Sequence, residues 1–161
     1  MSDTHDLLIE RLAGEQDLDA VAALEAACFT NPWTRDMLAG ELERNRFARV
    51  YVVRLPGTSV AAFCACWLVV DELHINTIAV AHEHRRKGLA HALMRHIIDD
   101  VAREGVRRAT LEVRASNEPA RQLYSRLGFR VAAMRPGYYT QPLEDAVIMW
   151  YEIFEAESHR R

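Results

Sequence analysis

The feature that most constrains this chain is one helical face bracketed by two strand-like runs. From Ala90 the apolar residues Ala90, Leu93, Met94, Ile97, Ile98 and Val101 recur at i, i+3, i+4, i+7, i+8 and i+11, the spacing of a single buried stripe. Gly105 supplies the stop. The run Leu73 to Val80 ahead of the helix is strand-like, and a second strand is expected from about Arg108 to Arg114. A strand, a crossover helix and a strand in that order are expected to leave the two strands parallel. The helix begins near Gly88, so Arg85, Arg86 and Lys87 sit just ahead of its first turn, where the unpaired N–H groups and the positive end of the macrodipole lie. Three cations there oppose the dipole, and an anion docked on the helix N-terminus would supply the missing negative charge. Gly88 and the small Ala90 would let that anion approach the backbone. Taken alone, three basic residues are also compatible with a solvated basic turn.

The spacing goes further than the charges. Arg85-x-x-Gly88-x-Ala90 following Ile78-Ala79-Val80 resembles the pyrophosphate-binding signature of the GNAT superfamily of acetyl-CoA-dependent N-acetyltransferases, with the strand before it and the helix after it that the motif requires. The resemblance implies acetyl-CoA as co-substrate and no metal. It gives the backbone of Ile78, Ala79 and Val80 to the pantetheine arm, and the turn Arg85, Arg86, Lys87, Gly88, Leu89 and Ala90 to the pyrophosphate. The implied fold is α/β (α+β), a mixed and mostly antiparallel sheet of six to seven strands flanked by about four helices, with a splayed parallel pair at its centre.

Length and charge narrow the class. At 161 residues the chain is expected to form one N-acetyltransferase domain over residues 1–161. A net charge of -3 argues against a general nucleic-acid or anionic-membrane binder, though not against a local basic patch for a phosphorylated ligand. The longest apolar run, Val60 to Val70, is too short to span a bilayer, and Met1 to Asp6 does not read as a signal peptide, so a cytoplasmic protein is expected. Three cysteines, Cys28, Cys64 and Cys66, are an odd count in such a context and are expected to be structural thiols rather than a disulfide framework. Cys64 and Cys66 would share a strand face, but no second Cys or His pair stands at a ligand spacing. His82, His84, His91 and His96 read as solvated.

The rest of the chain supplies a framework. Leu7 to Leu12 is expected to be a strand, and Asp17 the N-cap of a helix in which Val21, Leu24 and Cys28 share a face, ended by Asn31-Pro32. Thr34 reads as the cap of a short helix through Leu42. Trp33 between the two is either a core anchor or a wall of a substrate groove. Phe47 to Leu55 and Val60 to Val70 are strand-like and joined by the hairpin signal Pro56-Gly57-Thr58. Ser116-Asn117 before Glu118-Pro119 is a helix start, and Ala120, Leu123, Tyr124 and Leu127 make its apolar face before Gly128. Two more strands are expected, Phe129 to Met134 and Ala146 to Phe154, with Arg135-Pro136-Gly137-Tyr138-Tyr139 as a loop between them. The tail from Glu155 is expected to fray.

Within the superfamily the resemblance is to the bacterial ribosomal-protein alanine N-acetyltransferases. It rests on Asn31-Pro32-Trp33-Thr34, Glu112-Val113-Arg114-Ala115-Ser116-Asn117, Leu123-Tyr124 with Leu127-Gly128-Phe129, and Tyr138-Tyr139 with Glu144-Asp145-Ala146. One departure is Thr77, where members often carry Asn. That family implies acetyl transfer to a protein's N-terminal amine, typically the alanine of small-subunit ribosomal protein eighteen, with no nucleic acid or membrane as partner. It also implies Glu112 as general base, Tyr124 as general acid, Asn117 as a CoA contact, and Trp33, Tyr138 and Tyr139 as acceptor contacts. Without the motifs, Glu112 reads as a solvated strand glutamate and Tyr124 as a core tyrosine. An acetyltransferase for a small amine and a CoA-binding regulatory module without turnover are the other two readings.

Overall fold

The computed structural model describes residues 7–12 and 15–153. Its strands are β1 (Leu8–Arg11), β2 (Ala48–Leu55), β3 (Thr58–Val69), β4 (Glu72–Val80), β5 (Arg108–Arg114), β6 (Arg130–Thr140) and β7 (Leu143–Glu152). The helices are α1 (Leu18–Cys28), α2 (Arg35–Arg44), α3 (Leu89–Ala102) and α4 (Glu118–Leu127). The strands form one seven-stranded sheet in the order β1-β2-β3-β4-β5-β7-β6. β4 and β5 pair in parallel, as the crossover through α3 requires. Their register runs from Glu72 opposite Arg108 to Ile75 opposite Leu111. Each strand then continues past the last of these pairs, β4 to Val80 and β5 to Arg114. This is the mixed α/β architecture expected.

The chain divides into two compact units. One holds residues up to Trp67 together with Thr77–Ile97; the other holds Leu68–Asn76 and everything from Ile98 onward. In the first unit α1 and α2 lay Leu18, Val21, Leu24 and Leu38 against Val50, Val52, Val60 and Phe63 of β2 and β3. On the first unit's α3, the His96 ring stands nearly perpendicular to that of Tyr51 of β2 with centres 6.2 Å apart, and Leu93, Met94 and Ile97 are fully buried. In the second unit alternate residues of β5, Ala109, Leu111 and Val113, are buried, while Arg108, Thr110, Glu112 and Arg114 face the other way and are half-buried.

Local signals explain the ends of the elements. Thr34 caps α2 through its hydroxyl, which accepts from the Met37 N–H at 3.2 Å, worth about 1 kcal/mol. The two-residue turn between β2 and β3 uses Pro56 and Gly57, the latter at φ +75°. Gly105 and Gly128 each close a helix by the same paired bonds. Gly105 donates to the Ala102 carbonyl and Val106 to that of Val101; Gly128 donates to Ser125 and Phe129 to Tyr124. At Gly128, φ is +109° and a Cβ would stand 2.6 Å from the Tyr151 ring, so both conformation and space require glycine.

Three expectations are corrected. Asp17 does precede α1, but its carboxylate makes no cap bond; it is taken by the Arg54 guanidinium of β2, whose hydrogen bonds hold the Asp17 carboxyl below its usual range. The helix α1 stops at Cys28, before Asn31-Pro32, with Phe29 already extended, and α2 runs two residues past Leu42. The largest correction is Arg135 to Tyr139, which is strand and not loop: β6 runs through it to Thr140, with the turn to β7 at Gln141 and Pro142. β6 is an edge strand, and its register slips between Arg135 and Tyr139. Pro136, lacking an N–H, and Gly137 at φ +62° sit inside that slip, where a bulge accommodates both. The expected fraying of the tail lies outside the described residues.

Candidate active site

In the first unit the last three residues of β4, Ile78, Ala79 and Val80, lead through a short turn of 3-10 helix into the basic segment. Ala79 is buried; Ile78 and Val80 are half-buried. Arg85 was expected to face an anion, yet its side chain turns back: Nε donates to the Val80 carbonyl at 3.1 Å and Nη2 lies 3.6 Å from the Cys28 sulfur. Its place is to fasten the end of β4; all three cations of the turn are exposed, and Lys87 has Nζ 3.3 Å from His84 Nδ1. Arg86 adopts φ +64° and Gly88 φ +76°. For arginine that conformation is strained, and such strain concentrates where a backbone is shaped to hold something. A Cβ built on Gly88 meets nothing within 4 Å, so the space above this backbone is open. Buried Leu89 anchors the first turn of α3, and Ala90 is half-buried beside it. The Ala92 N–H is the first to reach back, to the Gly88 carbonyl at 3.0 Å, so the amides of Leu89, Ala90 and His91 precede the helical ladder. Left-handed backbone, open space, helix amides and the exposed cations of the turn are a donor set that fits a pyrophosphate.

Also in this unit, Trp33 is 40% exposed, which removes it from the core. Its backbone N–H donates to Glu25, a carboxylate buried in α1 whose pKa is raised by that burial. Nothing local in the sequence marks Glu25 as buried. Cys64 and Cys66 are the buried thiols expected, with Cys64 pushed well up by its hydrogen bond with Cys66 and by burial; Cys28 is only half-buried. His82 and His91 are exposed, whereas His84 and His96 are half-buried.

The second unit carries the candidate acid and base. Glu112 is half-buried on β5, and its Oε2 lies 2.8 Å from Nε2 of His74 on β4. His74 was not singled out from the sequence, because only the parallel register of two strands brings it beside Glu112. Tyr139 belongs to the same neighbourhood. Its hydroxyl is pushed up to about 12 by burial and by the charges of Tyr138, Glu112 and Glu144, against the opposing pull of Arg114. Tyr138, 45% exposed, meets Tyr139 edge to face at 5.0 Å. Tyr124 is 6% exposed and packs at 5.8 Å from Phe129, which in turn lies 5.4 Å from Tyr151. Tyr151 pairs with Ala109, on the face of β5 opposite Glu112. Asn117 caps α4, its Oδ1 accepting from the Ala120 N–H at 3.3 Å. Among the described residues no cluster of metal-ligating side chains is present.

Comparison with known proteins bears on both units. The family model described as Acetyltransferase (GNAT) family matches residues 18–129. A Bacillus subtilis (strain 168) relative is 39% identical over 140 residues, 87% of this chain and 92% of its own. The ribosomal protein bS18-alanine N-acetyltransferase of Escherichia coli (strain K12) is 37% identical over 135 residues, 83% of this chain and 89% of its own. The crystal structure of the ribosomal-protein-S18-alanine N-acetyltransferase from Escherichia coli superposes with a TM-score of 0.82 at 36% identity, covering 91% of this chain and 94% of that one. The fold is also that of Arabidopsis thaliana NAA60 in complex with acetyl-CoA, at a TM-score of 0.78 and 19% identity over 92% of this chain and 99% of that one. With a motif, a fold and close relatives in agreement, the chain belongs to the GNAT family of acetyltransferases.

Proposed function

We propose that this enzyme transfers an acetyl group from acetyl-CoA to the N-terminal α-amine of a protein, the alanine at the start of ribosomal protein bS18, and that residues 1–161 act as one acetyltransferase domain in the cytoplasm. The observation that carries this reading is Glu112, half-buried, held at 2.8 Å by His74 and within the electrostatic reach of Tyr139. The relatives named for that activity support the acceptor.

The chemistry suits an N-terminal amine better than a lysine. A terminal amine has a reference pKa of about 7.7 to 8.0, so roughly a tenth is neutral at pH 7; a lysine at about 10.4 is neutral in well under a thousandth. A carboxylate is a sufficient base for the first. Bound at the turn of Arg85 to Ala90 and along Ile78 to Val80, with Asn117 in contact, acetyl-CoA supplies an activated thioester. Glu112 accepts the amine's proton, directly or through a water, and Tyr124 donates its hydroxyl proton to the departing thiolate. Trp33, Tyr138 and Tyr139 contact the acceptor. No metal is needed for these steps, since base, acid and activated acyl group are all accounted for.

A peptide beginning in alanine, an N-blocked lysine peptide and spermidine, each incubated with enzyme and acetyl-CoA, separate the readings by mass spectrometry. Acetylation of the alanine peptide at its α-amine is expected. Product from spermidine alone would make the enzyme a small-amine acetyltransferase, and no product from any would favour a binding module.

The tyrosines give a second check. Replacing Tyr138 or Tyr139 by Ala is expected to raise the KM for the alanine peptide about threefold to tenfold while that for acetyl-CoA moves little, as loss of an aromatic contact to one substrate should do. Equal changes in both constants would assign the pair to packing at the strand end.

A further inference from the structure

Two parts of the sequence motifs have no role in the chemistry above: Arg114, which follows Glu112-Val113, and the acidic pair Glu144-Asp145. They meet in one network. Arg114 Nη1 donates to the Pro142 carbonyl at 2.9 Å and Nη2 to that of Gln141 at 3.2 Å, so one guanidinium holds both residues of the turn between β6 and β7. Nη1 also lies 3.4 Å from Glu144 Oε1, and the guanidinium carbon sits 4.3 Å from the centre of the Tyr139 ring. Glu144 is itself fixed at the far oxygen, which accepts from the Ser116 N–H at 2.7 Å; Ser116 and Arg114 hold its carboxyl below the usual range. Asp145 completes the arrangement from the neighbouring position. Its Oδ1 accepts from the Gly137 N–H at 2.9 Å inside the bulge of β6, and its carbonyl accepts from Ala115 at 3.1 Å.

We propose that Arg114 is the positioning residue of the acceptor hairpin, setting Tyr139 relative to Glu112 and so fixing where the incoming α-amine stands. β6 is an edge strand whose ladder slips between Arg135 and Tyr139, so beyond the slip only two pairs, Tyr139 with Glu144 and Thr140 with Leu143, hold the hairpin end in register. The guanidinium reinforces that short ladder. It is planar and multidentate, able to serve two carbonyls, a carboxylate and a ring face at once, which an ammonium is not. Because Arg114 lies two residues from Glu112 on the same face of β5, whatever the hairpin binds is referenced to the base itself. The effect belongs to the acceptor and not to the acyl donor.

This inference rests on Tyr139 contacting the acceptor, so the test runs Tyr139→Ala beside the Arg114 variants, with a peptide beginning in alanine as probe. Arg114→Met is expected to raise the peptide KM about fivefold with the acetyl-CoA KM nearly unchanged. Arg114→Lys should not rescue it. Combined with Tyr139→Ala, Arg114→Met should add little, because both act through one contact. Should Arg114→Met lose its fold by circular dichroism, Glu144→Gln, which loosens one anchor of the same guanidinium, carries the test in the same direction. If Tyr139→Ala raises the peptide KM and the Arg114 or Glu144 variant does not, the positioning role is overturned and the acceptor contact stands. If Tyr139→Ala itself leaves the peptide KM unchanged, the acceptor contact is what fails. Equal rises in both substrates' KM would reduce Arg114 to a stabilising residue and overturn the proposal.

Discussion

Glu112→Gln and Tyr124→Phe are each expected to lower the turnover number at least about 30-fold, within the range for loss of a positioned acid or base, while acetyl-CoA affinity stays near that of the parent enzyme. Both substitutions keep shape. A glutamine at 112 retains a hydrogen-bonding partner for His74 Nε2, 2.8 Å from the present carboxylate, so the neighbouring strand need not shift. What it lacks is basicity. A phenylalanine at 124 keeps the ring contact with Phe129 at 5.8 Å and loses only the hydroxyl. Single-turnover measurements with the alanine peptide, alongside acetyl-CoA binding by calorimetry, check both. Because one substitution removes the base and the other the acid, each should fail by itself. If Tyr124→Phe keeps most of its turnover where chemistry is rate-limiting, the tyrosine is a packing residue and water or another group supplies the proton.

Gly88→Val is expected to raise the acetyl-CoA dissociation constant at least about tenfold, a loss of about 1.4 kcal/mol. Two effects act together. At φ +76° a β-branched residue is strongly disfavoured, so the turn relaxes away from the shape that aligns its amides. The side chain also fills space that nothing in the chain occupies, the space through which a pyrophosphate would approach. The site is an exposed turn, and the substitution meets no neighbouring atoms within 4 Å at its Cβ, so the fold should survive. Calorimetry on the folded variant decides it: unchanged affinity would place the cofactor elsewhere.

The sequence was most readable where structure is made by neighbours. The stripe from Ala90 to Val101, the Thr34 and Asn117 caps, and the glycines at 105 and 128 are all patterns spanning a few residues, and each is present. What escaped was made by distance. Asp17 has the right residue type in the right place for a cap, but Arg54, 37 positions away, competes for the same carboxylate. His74 and Glu112 are 38 positions apart and meet only through strand register. Pro136-Gly137 has the composition of a loop, and no local rule says that a neighbouring carboxylate at Asp145 will take the Gly137 N–H and keep the segment in the sheet. For the same reason the sequence reads Phe129 to Met134 as strand and the exposed Arg135 to Tyr139 as loop, where β6 is one strand.

The end of α4 has a meaning for how other chains of this kind are compared. Tyr-x-x-Leu-Gly-Phe looks like a catalytic signature, yet most of its letters are a helix terminator: Gly128 takes the left-handed turn against the Tyr151 ring, Phe129 returns its N–H to the Tyr124 carbonyl, and the two rings close the motif. A chain that kept Leu-Gly-Phe and exchanged the tyrosine for phenylalanine would end its helix in the same way and keep the same ring contact. Its family membership would read the same, and under the role proposed for Tyr124 its turnover would be lower by about 30-fold or more. On that proposal a single oxygen atom in the block carries the difference in rate, so an alignment score over this segment measures ancestry far better than activity.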